Sequence, residues 1–159
     1  MSRPILCLDF DGVLHSYSSG WRGAWNIPDP PVPGALEFVV EALDEFAVAI
    51  LSSRSHQLFG RWAMKRWLRA RLIAAGGTDW SAAPEWWQRR IAETAFADPW
   101  ADEVRWAADR VIKAIQWPLF KPPAMVTIDD RAITFTGQWP DVSTLKSFKP
   151  WNKRTPSPR

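Results

Sequence analysis

The stretch LCLDFDGVLHS, Leu6 to Ser16, runs an apolar segment into two carboxylates one residue apart, Asp9 and Asp11, with Gly12 directly after them. Burying an unpaired carboxylate costs several kcal/mol unless hydrogen bonds or a metal compensate, so an apolar strand that ends this way points to a compensating partner. ILCLDF (5–10) is apolar at successive positions, as suits a central strand of a parallel sheet buried on both faces. AVAILSS (47–53) has the same character and ends in hydroxyls, and AMVTIDD (124–130) ends in two more acids.

Helical patterns separate these runs. Pro33 and Gly34 open a helix extending through about Phe46, proline being favoured in a first turn. Ser55 is placed to cap a helix over HQLFGRWAMKRWLRARLIAA (56–75), which stops at Gly76-Gly77. Two further helices follow Pro84 and the pair Asp98-Pro99, with Asp98 as cap. ITFTGQW (133–139) reads as an edge strand and DVSTLKSF (141–148) as a short helix. Strands alternating with helices, without internal repeat, predict an α/β fold with a parallel sheet flanked by helices.

Composition limits the class. With 159 residues, 47% hydrophobic and 23% charged, the chain suits one globular domain. No apolar run is long enough to span a bilayer, and no basic segment leads into an apolar stretch of the signal-peptide kind, which predicts a cytoplasmic protein without a membrane partner. Cys7 is the single cysteine, set in an apolar strand, and reads as an inert core thiol. The net charge of +3 is unevenly spread: residues 1–55 hold three Lys/Arg and seven Asp/Glu, the remainder seventeen and ten. The segment 146–159 carries five basic residues and no acid, and 151–159 reads as a basic flexible tail.

Three strands thus end in chemically useful side chains: Asp9 and Asp11, then Ser52 and Arg54, then Asp129 and Asp130. In an open parallel sheet, ligands bind beyond the carboxyl ends of the strands, so these residues are expected to converge. Gathered carboxylates repel one another unless a hard cation sits among them, and oxygen ligands supplemented by water suit Mg²⁺.

In the order DFDGVLH, ILSSR, the lysine of KPPAMVTIDD, and IDDR, the chain resembles the haloacid dehalogenase-like (HAD) superfamily in its phosphatase branch. It is similar to small phage and bacterial HAD-like hydrolases and, through the S-x-R and DD elements, to the phosphatase module of polynucleotide kinase-phosphatases. The resemblance covers the chain from the first strand to FTGQW and implies a HAD-like Rossmannoid fold, a single domain over 1–150, acting as a Mg²⁺-dependent phosphomonoester hydrolase. It makes Asp9 the nucleophile that forms an aspartyl-phosphate, and Asp11 the acid/base whose backbone carbonyl also meets the metal. Gly12 leaves room for backbone N–H groups near the phosphoryl oxygens. Ser52 hydrogen-bonds one of those oxygens, Ser53 being the neighbouring choice, and Lys121 supplies positive charge to the transition state. Asp129 and Asp130 complete the Mg²⁺ shell with Asp9 and Asp11, with direct coordination open between the two. Arg54 either binds substrate phosphate or pairs with an acid. His15 either meets substrate or is a satisfied loop residue.

The family's usual cap has little space here. Forty positions lie between Asp11 and Ser52, enough for a flap over 16–33 bearing Trp21 and Trp25, which is expected to lean over the site. Eight of twelve tryptophans fall between Ser52 and Lys121, which suggests a Trp-packed helical insertion over about 78–117 rather than a separate cap domain. An open site and a row of Arg61, Lys65 and Arg69 at helical spacing favour nucleotides or nucleic-acid terminal phosphates as substrate, although such rows commonly mark a solvated face. The alternative is a non-catalytic phosphate- or nucleic-acid-binding module of the same fold. A dehalogenase is disfavoured, having no use for the acid/base at Asp11.

Overall fold

The computed structural model describes residues 2–95, 102–134 and 136–154. Its centre is a parallel three-stranded sheet in the order β2-β1-β3, formed by β1 (Ile5–Leu8), β2 (Ala47–Ile50) and β3 (Val126–Ile128). The register sets Leu8 opposite both Ile50 and Ile128. All three carboxyl ends therefore finish at one level, and the chain continues that alignment where the Asp9 amide donates to the Ile128 carbonyl at 2.9 Å and the Leu51 amide to Leu8 at 3.0 Å.

Alternation along a strand gives the sheet two distinct faces. Leu6, Leu8, Val48 and Ile50 join the main apolar core with α1 (Ala35–Glu45), α2 (Gly60–Gly76), α3 (Glu85–Ala95) and α4 (Glu103–Ala114). The opposite row, Cys7 with Thr127, faces an open cleft. Cys7 is buried, as expected, but at the floor of the cleft and not in the main core; burial pushes its thiol above the ordinary range, against the charge of Lys121. Among the described residues, no helix is long and apolar enough to cross a membrane.

The segment expected as a helical insertion belongs to the main body. After a 3₁₀ turn at Trp80–Ala82, α3 packs on α1, and α4 packs on α2 and α3. Trp87, Ile91, Ala107 and Ala108 are wholly buried in the shared core. Arg90 donates to an Asp44 carboxylate oxygen at 2.6 Å and to the Val40 carbonyl at 3.0 Å, fastening α3 to α1.

Several local expectations are revised. Ser55 does not cap α2. It sits in a 3₁₀ turn, Ser53–His56, where its Oγ accepts the Ser52 amide at 3.2 Å while Ser52 Oγ accepts the Arg54 amide at 3.4 Å. The helix begins only at Gly60, because the chain there presses on the Arg54 carbonyl: a Cβ on Gly60 would lie 1.9 Å from that oxygen. Asp98 and Pro99 lie outside the described residues, and Asp102 caps α4 by accepting the Arg105 amide at 3.1 Å. None of the described residues between 133 and 139 forms a strand, since Gly137, at φ 94°, and Pro140 turn the chain away. The β3 strand is thus an edge, its residues exposed. The short helix follows as α5 (Val142–Leu145). Where a flexible tail was expected from 151, Trp151 Nε1 donates to the Gly12 carbonyl at 2.7 Å and Asn152 to the Ser16 carbonyl at 3.3 Å. Residues 155–159 lie outside the described chain.

Truncating Trp87, the largest wholly buried side chain among the described residues, should remove about 3–5 kcal/mol of unfolding free energy. Urea unfolding of Trp87→Ala against the parent measures this; a loss under about 1 kcal/mol would mean that α3 is not part of the common core.

Candidate active site

The strand ends open into a cleft of about 400 Å³ lined by Asp9, Asp11, Ser52, Ser53, Lys121 and Asp129, with Tyr17, His56 and Arg131 at its margins. Parallel pairing brings together residues more than a hundred positions apart in sequence. Asp9 follows β1, Ser52 follows β2, and Asp129 follows β3. None of the described residues in 78–117 lines the cleft.

Carboxylate oxygens of Asp9, Asp129 and Asp130 all lie within 4.8 Å of one another. Their environments differ. Asp9 Oδ1 accepts the Phe10 amide at 2.7 Å. Burial nevertheless pushes its carboxyl up to about 7, against that hydrogen bond and with help from the charges of Asp129, Asp130 and Asp11. Asp129 is exposed and accepts the Arg131 amide at 2.7 Å. The Asp130 side chain is fully buried, and neither of its oxygens has a hydrogen-bond partner. Burial first, then Asp129 and Asp11, push its carboxyl upward, while Arg131, 3.9 Å away, opposes the shift.

Two orphaned carboxylate oxygens in an interior position are costly unless a cation completes them. The donor set fits a hard divalent ion: all oxygen, three carboxylates and open cleft space for water. Gly12 is required for this packing. At φ 87° it occupies the left-handed region, and a Cβ there would lie 2.4 Å from Asp130 Oδ2. The glycine therefore admits the Asp130 carboxylate to the loop carrying Asp11.

Asp11 is not part of that cluster. It lines the cleft, and its carboxylate is held from the protein side, where Oδ2 accepts Arg54 Nε at 2.8 Å and Oδ1 contacts His15 Nδ1 at 2.8 Å. Arg54 is completely buried, donates from Nη1 to the Gly23 and Ala24 carbonyls at 2.6 and 3.0 Å, and lies 4.6 Å from the Trp21 ring. Of the two roles the sequence allowed Arg54, the observed contacts are those of the acid-pairing one, and Arg54 is not among the cleft-lining residues. It latches the 16–33 flap to Asp11. The flap is pinned again where Ser16 and Pro30 meet at 3.0 Å and where Asp29 accepts the amide and hydroxyl of Ser19. Trp25 stacks on Phe59 with centroids 6.3 Å apart, so both flap tryptophans rest on protein while remaining about half exposed or more.

The basic row on α2 also turns toward protein. Arg61 donates to the Trp117 carbonyl at 3.3 Å, Lys65 lies over the Trp117 ring, and Arg69 pairs with Asp109. Tyr17, at φ 56°, and the flanking cations Lys121 and Arg131 complete the polar mouth. Tyr17 carried no sequence signal, because nothing in YSSG foretells a strained backbone.

The chain matches no protein-family model, no curated protein and no solved structure at a significant level.

Asp9 yields a pH prediction for the metal-free protein. Its folded pKa near 7 lies above the ordinary 3.8, so the protonated form is favoured by folding; that stability is complete below the ordinary value and is lost as pH rises toward 7. In EDTA, Tm should fall between pH 4 and pH 7, and adding Mg²⁺ at pH 7 should restore it. A Tm indifferent to both would contradict the cluster. A second expectation follows from Asp130: Asp130→Asn should raise the Tm of the metal-free protein at neutral pH, by removing an uncompensated buried charge, and should weaken the Mg²⁺-induced rise. Differential scanning fluorimetry with and without Mg²⁺ measures both.

Proposed function

We propose that the chain is a Mg²⁺-dependent phosphomonoester hydrolase of the HAD-like phosphatase type, working through an aspartyl-phosphate on Asp9. The observation that carries this reading is the convergence of the Asp9, Asp129 and Asp130 carboxylates within 4.8 Å, in a cleft also lined by Ser52 and Lys121. This is the constellation expected from the four sequence elements. Asp9, Asp129 and Asp130, with the Asp11 backbone carbonyl, would hold the ion. When bound, Mg²⁺ supplies positive charge that offsets repulsion between Asp9 and a dianionic phosphate.

The remaining chemistry belongs to the chain. An Asp9 carboxylate oxygen attacks phosphorus, the bond to the leaving oxygen breaks, and Asp11 gives that oxygen a proton. Water then attacks the acyl phosphate, passes a proton to Asp11, and releases inorganic phosphate with Asp9 restored. Ser52 is arranged to donate: its Oγ already accepts the Arg54 amide, which leaves its O–H for a phosphoryl oxygen. Lys121 adds a cation at the cleft.

For the substrate, an open cleft lined by none of the described α-helices admits a large leaving group, and the exposed ring of Phe120, beside the cleft-lining His56, offers a face to a base or sugar. Nucleotides or nucleic-acid terminal phosphates are the class proposed. The α2 basic row lends this no support, its charges being engaged by Trp117 and Asp109.

A panel of p-nitrophenyl phosphate, mononucleotides, sugar phosphates and phosphorylated oligonucleotides, assayed for phosphate release, tests the reading. Turnover should require Mg²⁺, fall when Ca²⁺ replaces it, because the larger ion takes more ligands at longer distances, and drop by roughly a thousandfold or more in Asp9→Asn. Full turnover in EDTA, or an active Asp9→Asn, would refute it. Tight binding of phosphorylated ligands without turnover would favour the non-catalytic module.

A further inference from the structure

His15 has no exposed surface, and every polar atom it carries is engaged. Its amide donates to the Phe10 carbonyl at 2.9 Å, and its carbonyl accepts the Gly12 amide at 2.7 Å. On the ring, Nε2 accepts the Asp29 amide at 3.2 Å. An amide can only donate, and it stands nearer than Asp29 Oδ2, which is 3.5 Å away and engaged by Ser19, so this contact makes Nε2 the bare nitrogen and places the ring proton on Nδ1. Nδ1–H then donates to Asp11 Oδ1 at 2.8 Å. The imidazole cannot rotate away, being held between Phe10, at a centroid distance of 5.8 Å, and the edge of Trp67, at 5.6 Å.

Asp11 therefore has each carboxylate oxygen fixed by a donor from a different part of the chain, Nδ1–H of His15 on one and Nε of Arg54 on the other. Two donors define the plane of the carboxylate, whereas one would leave it free to pivot about that bond. Each oxygen keeps a second lone pair for the proton it exchanges. The Asp29 amide that sets the tautomer belongs to the flap neck, and its side chain is anchored by Ser19.

We propose that His15 is a positioning residue: its Nδ1–H, oriented by the Asp29 amide, locks the Asp11 carboxylate in the attitude from which it protonates the leaving group. The inference rests on the phosphatase reading and deepens it. Substrates divide by their need for that proton. A nitrophenolate departs unaided, but an alkoxide needs protonation as the bond breaks, so losing the lock should penalise alkyl phosphates selectively in the step that transfers the phosphoryl group to Asp9, while the later hydrolysis is slowed alike for both.

The test compares p-nitrophenyl phosphate with an alkyl phosphate, such as a nucleoside monophosphate, in His15→Gln and His15→Asn, using protein that melts cooperatively. Glutamine places its amide near the Nε2 position and lacks the donor to Asp11. In single-turnover reactions, which read the first release of the leaving group before the Asp11-assisted hydrolysis common to both substrates, it should keep nitrophenolate release within about threefold while slowing alcohol release from the alkyl ester by roughly a hundredfold, the lower end of what general acid assistance contributes. Asparagine places an N–H near Nδ1 and should recover alkyl turnover despite being smaller. A space-filling role predicts the reverse order, with both substrates affected equally, and that result would overturn the inference while leaving the phosphatase reading intact. Wild-type protein inert on both substrates with Mg²⁺ would overturn both. Independently of any variant, ¹⁵N-detected imidazole NMR of the wild-type protein should show His15 protonated at Nδ1 and bare at Nε2; the opposite tautomer would contradict the lock.

Discussion

Repulsion among three carboxylates is the constraint around which this structure is arranged. Asp9, Asp129 and Asp130 are delivered to one place by the parallel register of β1 and β3, and among the described residues no cation forms a hydrogen bond with Asp130: the Arg131 guanidinium stands 3.9 Å from it. The sheet cannot relax to separate them, because Leu6 and Leu8 are fixed in the core on one face and the ladder hydrogen bonds fix the level of the strand ends. Burial pushes the Asp9 and Asp130 carboxyls above the ordinary range for that reason. A hard divalent cation is the partner that such a donor set calls for.

Around this cluster, the protein builds a second arrangement that keeps Asp11 apart from it. Arg54, buried where β2 leads into the 3₁₀ turn, reaches Asp11 on one side and the flap carbonyls on the other. Removing it would leave a buried carboxylate short of a donor and release the flap together. Close backbone approaches make the arrangement possible. Gly60 lets α2 start against the Arg54 carbonyl, and Gly12 lets Asp130 reach the loop that carries Asp11. Helices α1 to α4 contribute no side chain to the cleft; their part is to hold β1 and β2 from the opposite face.

Much of this was legible because strand ends in a parallel sheet leave a plain mark: an apolar run terminated by acids or hydroxyls. Asp9, Ser52 and Asp129 were found that way, and the structure brings them to one cleft. Helix bodies followed from periodicity and from Pro and Gly punctuation. The start of α2 was missed because Ser55 looks like a cap when judged locally, whereas tight packing against Arg54 delays the helix by several residues. The edge strand at 133–139 was overestimated because β-branched and aromatic residues outweighed Gly137 and Pro140. Arg54 and His15 were the hardest to place. Their side chains meet Asp11 across 43 and 4 positions respectively, and only tertiary packing decides whether such residues face inward or toward solvent.

The proposed chemistry reduces to one covalent event, transfer of a phosphoryl group to Asp9. The most direct measurement is a single-turnover reaction with Mg²⁺ and ³²P-labelled substrate, quenched in acid within milliseconds and mapped by peptide mass spectrometry. Transient label on the peptide containing Asp9, lost on exposure to hydroxylamine as an acyl phosphate must be, is the expected result. Product formation with the label on another residue, or with no labelled protein at any time, would contradict it.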